Sequence, residues 1–280
     1  MASPSQNLTP RLYHAPLPPS TALATWALAA GTFFLLGTTL GASLLTNVLA
    51  QLLALALLPA SIVHLHVARG GARGATHRHD WLSQLAKPIA FAGAAVAGTF
   101  LWYLSLRLAW PVVEATGRHD EVREATRSVT GEGAPLAWIL VASALVPGTC
   151  EELLHRGVLL PSLAARVGRP LALLAVTALF AVMHIEPARM VSAAVVGLAA
   201  GVVALRTGSV WPAVVLHVVN NSWALLLGTG HLEPVARAIV AHPDLALACA
   251  AGGTALGLAM AGRLTPAGER DLSNVRDTTG

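Results

Sequence analysis

The chain has 280 residues, of which 55% are hydrophobic and only 11% charged, against about 25% charged in ordinary soluble domains. That balance, with a mean hydropathy of +0.63, excludes a soluble globular protein. The net charge of +4 does not indicate nucleic acid, because the basic residues are scattered over loops, where they fit the positive-inside effect.

Residues Met1–Ser20 are polar and proline-rich and read as a flexible tail. They lack the layout of a cleaved signal peptide, because a second apolar span follows directly. From Thr21 to Val63 there is no Asp, Glu, Lys or Arg. That is about twice the ~20 residues one membrane helix needs, so two helices with a tight turn near Gly41–Ser43 are expected. Arg69–Asp80 is a glycine-rich basic loop, and Pro88–Trp110 is a third span with Trp102, Tyr103 and Trp110 as interfacial anchors. Pro111–Pro135 reads as a mixed-charge loop with a short amphipathic helix over Asp120–Val129.

Five more spans follow, about Leu136–Ala165, Pro170–Ile185, Arg189–Arg206, Val210–Gly228 and Val235–Ala261, before a polar tail, Gly262–Gly280. The expected fold class is all-α, a polytopic integral membrane bundle of about eight transmembrane helices. Three N-terminal helices (21–135) precede a four-helix core (136–228), and a last helix (229–261) precedes the tail. With Arg69–Lys87 on the inner side, 12 of the 18 basic residues, Arg156 among them, fall on or toward that side. The expected location is therefore the cell membrane, multi-pass, with both termini cytoplasmic. Ala193-x-x-x-Gly197-x-x-x-Gly201 is a small-residue stripe suited to close helix packing, with no role in a site expected of it. Cys150 and Cys249 fall in apolar segments and suit no disulfide framework.

Charged and polar side chains are costly at membrane depth and mark functional sites there. Three such groups recur: Glu151, Glu152, His155 and Arg156; then His184; then His217, Asn220 and Asn221. Glu151 and His184 each lie about 16 residues from a turn near Val167–Gly168, so in an antiparallel hairpin they share one depth. His217 and Asn221, four apart, share one helix face. The three groups are expected to converge. Glu152 and Arg156 are placed as an i, i+4 ion pair.

A carboxylate and a histidine that share a water can activate it by general-base action. A His–Asn pair can supply N–H donors where an oxyanion develops. That chemistry is hydrolysis of an amide or ester without a serine or cysteine nucleophile. The alternative is a zinc ion held by Glu151, Glu152, His184 and His217, which would activate the water instead. No His-Glu-x-x-His, Gly-x-Ser-x-Gly or Gly-x-Gly-Asp sequence is present.

Glu151-Glu152-x-x-x-Arg156, Phe180-x-x-x-His184 and His217-x-x-x-Asn221, in this order and preceded by Thr207-Gly-Ser-Val-Trp-Pro, resemble the motifs of the CPBP family of intramembrane proteases. That family includes CAAX prenyl endopeptidases and Abi-type proteins. The resemblance covers roughly Leu136–Gly228. It implies that Glu151 and His184 activate water, that His217 and Asn221 form the oxyanion site, and that Glu152 and Arg156 support the first motif. One departure is His155, where the family usually has an aromatic residue; Glu152-x-x-His155 has the spacing of a metal-binding pair. The implied activity is intramembrane endopeptidase, acting on a membrane-associated or C-terminal protein segment within the lipid bilayer. The cofactor is none, or zinc in a metal-dependent version. A non-enzymatic membrane protein, an immunity-type scaffold or a transporter, is the rival reading. A transporter should carry broken helices in corresponding positions of two halves, whereas here the polar residues sit only in the second half.

Overall fold

The structure, a computed structural model, describes residues 17–41, 43–69, 86–117 and 133–262. The expected amphipathic helix over Asp120–Val129, nearly all of the Arg69–Asp80 loop, and most of both polar tails lie outside the described residues. Among those described there are nine helices and no strand. They are α1 (Pro19–Leu40), α2 (Leu44–Ala68), α3 (Pro88–Thr116), α4 (Leu136–Val167) and α5 (Arg169–Val182), then α6 (Pro187–Thr207), α7 (Trp211–Gly228), α8 (Glu233–Ala241) and α9 (Pro243–Gly262).

Six of these, α1, α2, α3, α4, α6 and α9, are long and apolar enough to cross a membrane, and α7 with α8 makes a seventh if that bent pair is one span. This is an all-α polytopic membrane bundle. Glycines in the left-handed region end several helices where sequence placed the turns: Gly41 after α1 (φ 84°), Gly168 between α4 and α5 (φ 83°) and Gly208 after α6 (φ 63°). Prolines open many of them, with Pro88, Pro187 and Pro243 at the first helical position. There the missing N–H has no intrahelical partner to lose.

Several boundaries differ from expectation. Pro19 and Ser20 belong to α1 rather than to the tail. The third span continues through Pro111 to Thr116, and Tyr103 on it is buried among the helices. The last expected span is two helices. His242 has non-helical φ/ψ, as a residue before proline prefers, so α8 stops there and α9 restarts at Pro243. None of α8's residues is buried, and α8 lies 88° from α7.

Three wide turns carry i→i+5 hydrogen bonds in place of α-helical ones. They are Gln51–Leu57 in α2, and Val141–Leu145 and Leu153–Leu159 in α4. Each is followed two residues later by proline: Pro59, Pro147 and Pro161. A helical proline ring clashes with the carbonyl four residues back, here within the wide turn, and opening that turn moves the carbonyl aside. Pro111 is accommodated in α3 without one, so proline permits the wide turn but does not dictate it.

Small residues set the helix packing. A Cβ on Gly93 would lie 2.7 Å from the Gly257 carbonyl oxygen, so α3 and α9 touch backbone to backbone. A Cβ on Gly148 would lie 2.8 Å from Val218 Cγ2, which brings α4 against α7 one turn before the polar centre. α5 has 14 residues, about 21 Å of helix. That is short of the ~30 Å hydrocarbon core, so the chain turns toward α6 at the depth where α4 carries its acidic residues.

Candidate active site

The polar residues are gathered around the ring of Phe180, which is 1% exposed near the end of α5. His155 meets that ring edge-on with centroids 5.0 Å apart. His184 lies at 5.2 Å and His217 at 5.6 Å. The Arg156 guanidinium carbon sits 4.9 Å above the ring centre, within cation–π range. Sequence gives Phe180 only as the first residue of a motif; its i, i+4 relation to His184 was the signal that the two share a face.

On α4 the wide turn Leu153–Leu159 holds more residues per turn than an α-helix and keeps residues four apart nearly in line. Glu152 and Arg156, both fully buried, are joined at 2.9 Å. The same Glu152 Oε1 accepts from His217 Nδ1 on α7, also at 2.9 Å. Arg156 also donates to the Gly197 carbonyl of α6. The position is open only because Gly197 has no side chain: a Cβ there would lie 3.0 Å from Phe180 Cδ1 and 3.3 Å from Arg156 Nη2. The stripe assigned to packing alone therefore needs correcting at Gly197. Gly201, which faces Leu173, keeps that role. Because Arg156 is buried in this network, it also drops out of the loop charges that orient the chain.

Glu151 is half-buried, and its Oε2 is enclosed with no hydrogen-bond partner from the protein. Its backbone carbonyl accepts from His155 Nδ1 at 2.7 Å.

His184 is not on a helix. It sits in the turn after α5, and its Nδ1 lies 3.1 Å from the Phe180 carbonyl oxygen. A carbonyl only accepts, so Nδ1 carries the proton and the lone pair is on Nε2. Ile185 follows with φ 58°, a strained conformation for a β-branched residue. That reversal lets Glu186 cap α6 through the Ala188 and Arg189 N–H groups, at 3.0 and 2.8 Å. Ile185 is 68% exposed, so Ile185→Gly loses little packing. It removes strain of about 1–2 kcal/mol, offset by glycine's greater freedom when unfolded, about 0.5–1 kcal/mol. The expected result is an unfolding temperature equal to or slightly above wild type in detergent micelles; a clear fall would show that the side chain is needed there.

Asn221 Oδ1 accepts from Asn220 Nδ2 at 3.2 Å, which leaves the Asn221 amide N–H₂ to face elsewhere. Asn220 is 6% exposed, and its hydrogen bond to Asn221 is a contact that motif spacing does not reveal.

Part of the donor set that spacing suggested for zinc is already engaged within the protein. Both nitrogens of His155 are engaged, Nδ1 with the Glu151 carbonyl and Nε2 with the Trp26 indole N–H at 3.3 Å. Glu152 Oε1 is shared by Arg156 and His217. Among the described residues no group of three or more His, Cys, Asp or Glu is placed to hold a metal ion.

Comparison with curated proteins and with solved structures yields no match. Among protein families, residues 133–223 match the model described as type II CAAX prenyl endopeptidase Rce1-like. The matched segment begins just before α4, ends within α7, and contains Glu151, Glu152, Arg156, Phe180, His184, His217 and Asn221. Through that segment, about a third of the chain, the protein is similar to the CPBP/CAAX family of membrane proteases.

Proposed function

We propose that the protein is an intramembrane endopeptidase that hydrolyses a peptide bond in a membrane-associated or C-terminal protein segment. Residues 136–228 form its catalytic core, and it works in the cell membrane with both termini cytoplasmic. The observation that carries this reading is an enclosed, unpartnered Glu151 oxygen next in sequence to Glu152, which pairs with His217 beside the Phe180 ring that His184 also meets.

In the proposed reaction Glu151 takes a proton from water while His184 Nε2 orients that water through its lone pair. The hydroxide oxygen bonds to the scissile carbonyl carbon, and the carbonyl π pair moves onto oxygen. Asn221 Nδ2 and His217 Nε2–H donate to that oxyanion. His217 donates from Nε2 in the ring that carries a proton on both nitrogens, with Glu152 at Nδ1 holding the ring's orientation. Collapse of the intermediate breaks the C–N bond, and the proton held by Glu151 passes to the leaving amine. No step passes through a metal.

The test is to compare membrane proteomes of cells carrying the wild-type protein and Glu151→Gln. Processed fragments of at least one membrane protein should be present with wild type, with the uncut form accumulating in the variant. Identical proteomes would favour a scaffold whose polar centre is structural.

A further inference from the structure

The polar centre has a contact outside the segment that carries the family match. α1, which ends at Leu40, precedes that segment by more than ninety residues, yet its Trp26 donates through Nε1 to His155 Nε2 at 3.3 Å. His155 is fully buried, and its Nδ1 is 2.7 Å from the Glu151 carbonyl oxygen. Each partner dictates one nitrogen. A carbonyl can only accept, so Nδ1 bears the proton; an indole N–H can only donate, so Nε2 bears the lone pair. The ring is held as one neutral tautomer with no nitrogen left over. Its edge then rests on Phe180 at 88° between planes, and Phe180 in turn carries His184 and His217. Trp26 itself packs against a buried cluster that includes Cys150 and Leu154 of α4 and Ala54 and Leu55 of α2.

We propose that His155 is a positioning residue, held by Trp26 as its Nδ1–H tautomer, that fixes the Glu151 turn and the Phe180 ring and so makes α1 a working part of the active site. The proposal rests on Glu151 and His184 being the water-activating pair. A ring that filled space could be any aromatic. This one joins three helices by two directed hydrogen bonds and one edge contact; a ring flip breaks both hydrogen bonds, and a second proton, on Nε2, breaks the one from Trp26.

The test has two arms on the full-length protein in detergent or nanodiscs. In the first, ¹⁵N-histidine labelling reads the ring nitrogens by NMR, with His155→Phe identifying the signal. The expected signal has a protonated Nδ1 and an unprotonated Nε2, and Trp26→Phe shifts that Nε2 resonance while leaving the protein folded. A protonated Nε2, or no shift in Trp26→Phe, overturns the proposal. In the second arm, cleavage of the substrate found by the proteome comparison is measured for both variants. Each should lower kcat by about ten- to a hundredfold, the scale of a small misplacement of reacting groups, with KM little changed; unchanged kcat overturns the positioning role. If no cleavage is found even with wild type, the protease reading fails while the NMR arm still decides the tautomer.

Discussion

Arg156→Leu is expected to destabilise the protein by about 3–5 kcal/mol, the cost of leaving a buried ion-pair partner uncompensated. Glu152 is fully enclosed and shares its Oε1 between Arg156 and His217. Without the guanidinium, a carboxylate at membrane depth keeps only one histidine. The Gly197 carbonyl loses a donor and Phe180 loses the cation above its ring. The check is denaturant or thermal unfolding in a fixed detergent, with Arg156→Leu set beside the double variant carrying Glu152→Leu as well. Replacing both charges by apolar groups removes the desolvation cost along with the attraction and is often close to neutral. The double variant should therefore recover much of the stability yet stay inactive, because His217 has lost its acceptor. A single variant within about 1 kcal/mol of wild type would mean that the pair behaves like a solvated one.

The second large effect concerns catalysis. Glu151→Gln and His184→Ala are each expected to lower kcat by about 10²–10⁴-fold, the range for general acid–base groups, or roughly 3–5 kcal/mol of barrier. The informative measurement is the double variant. Two groups that serve one water act as a unit, and such units are far from additive. The double variant should be no slower than the worse single variant, within about a factor of ten on the same scale. Multiplied losses would show that the two residues act in separate steps and would remove the shared water. Unfolding temperatures should stay near wild type in both singles, since Glu151 Oε2 has no protein partner to lose and His184 lies on a turn.

Much of the bundle can be read without coordinates, and the reasons are physical. Bilayer thickness sets the length of each apolar run, and glycines mark the reversals at Gly41, Gly168 and Gly208. The pairing of Glu152 with Arg156 follows from i, i+4 spacing alone. Depth counting brings His184 and His217 to the acidic turn, and they meet around Phe180. What stayed hidden depends on contacts that no local pattern encodes. The Trp26–His155 bond joins residues 129 apart, and spacing alone suggested a metal ligand at His155. The Gly197 carbonyl serves Arg156 across helices, while its place in a small-residue stripe pointed only to packing. The break at His242 was masked because residues on both sides are apolar enough to read as one span. Which of two adjacent glutamates pairs with His217 is likewise a matter of packing between α4 and α7.

The wide turn Leu153–Leu159 has a further consequence for what this chain can tolerate. A turn of this kind is an ordinary helical turn carrying one surplus residue, so the faces before and after it are offset by about 100° relative to an uninterrupted helix. Deleting one residue within the turn would leave both faces in place, whereas winding the same residues as uniform α-helix would close it without breaking the membrane span. Glu151 and Glu152 would then rotate as a block away from His217 and Phe180 while Leu160 and Leu163 kept their seats in the core. The protein would insert and fold with its carboxylates aimed at the wrong neighbours. Helix register, as much as residue identity, is what this stretch of sequence must preserve.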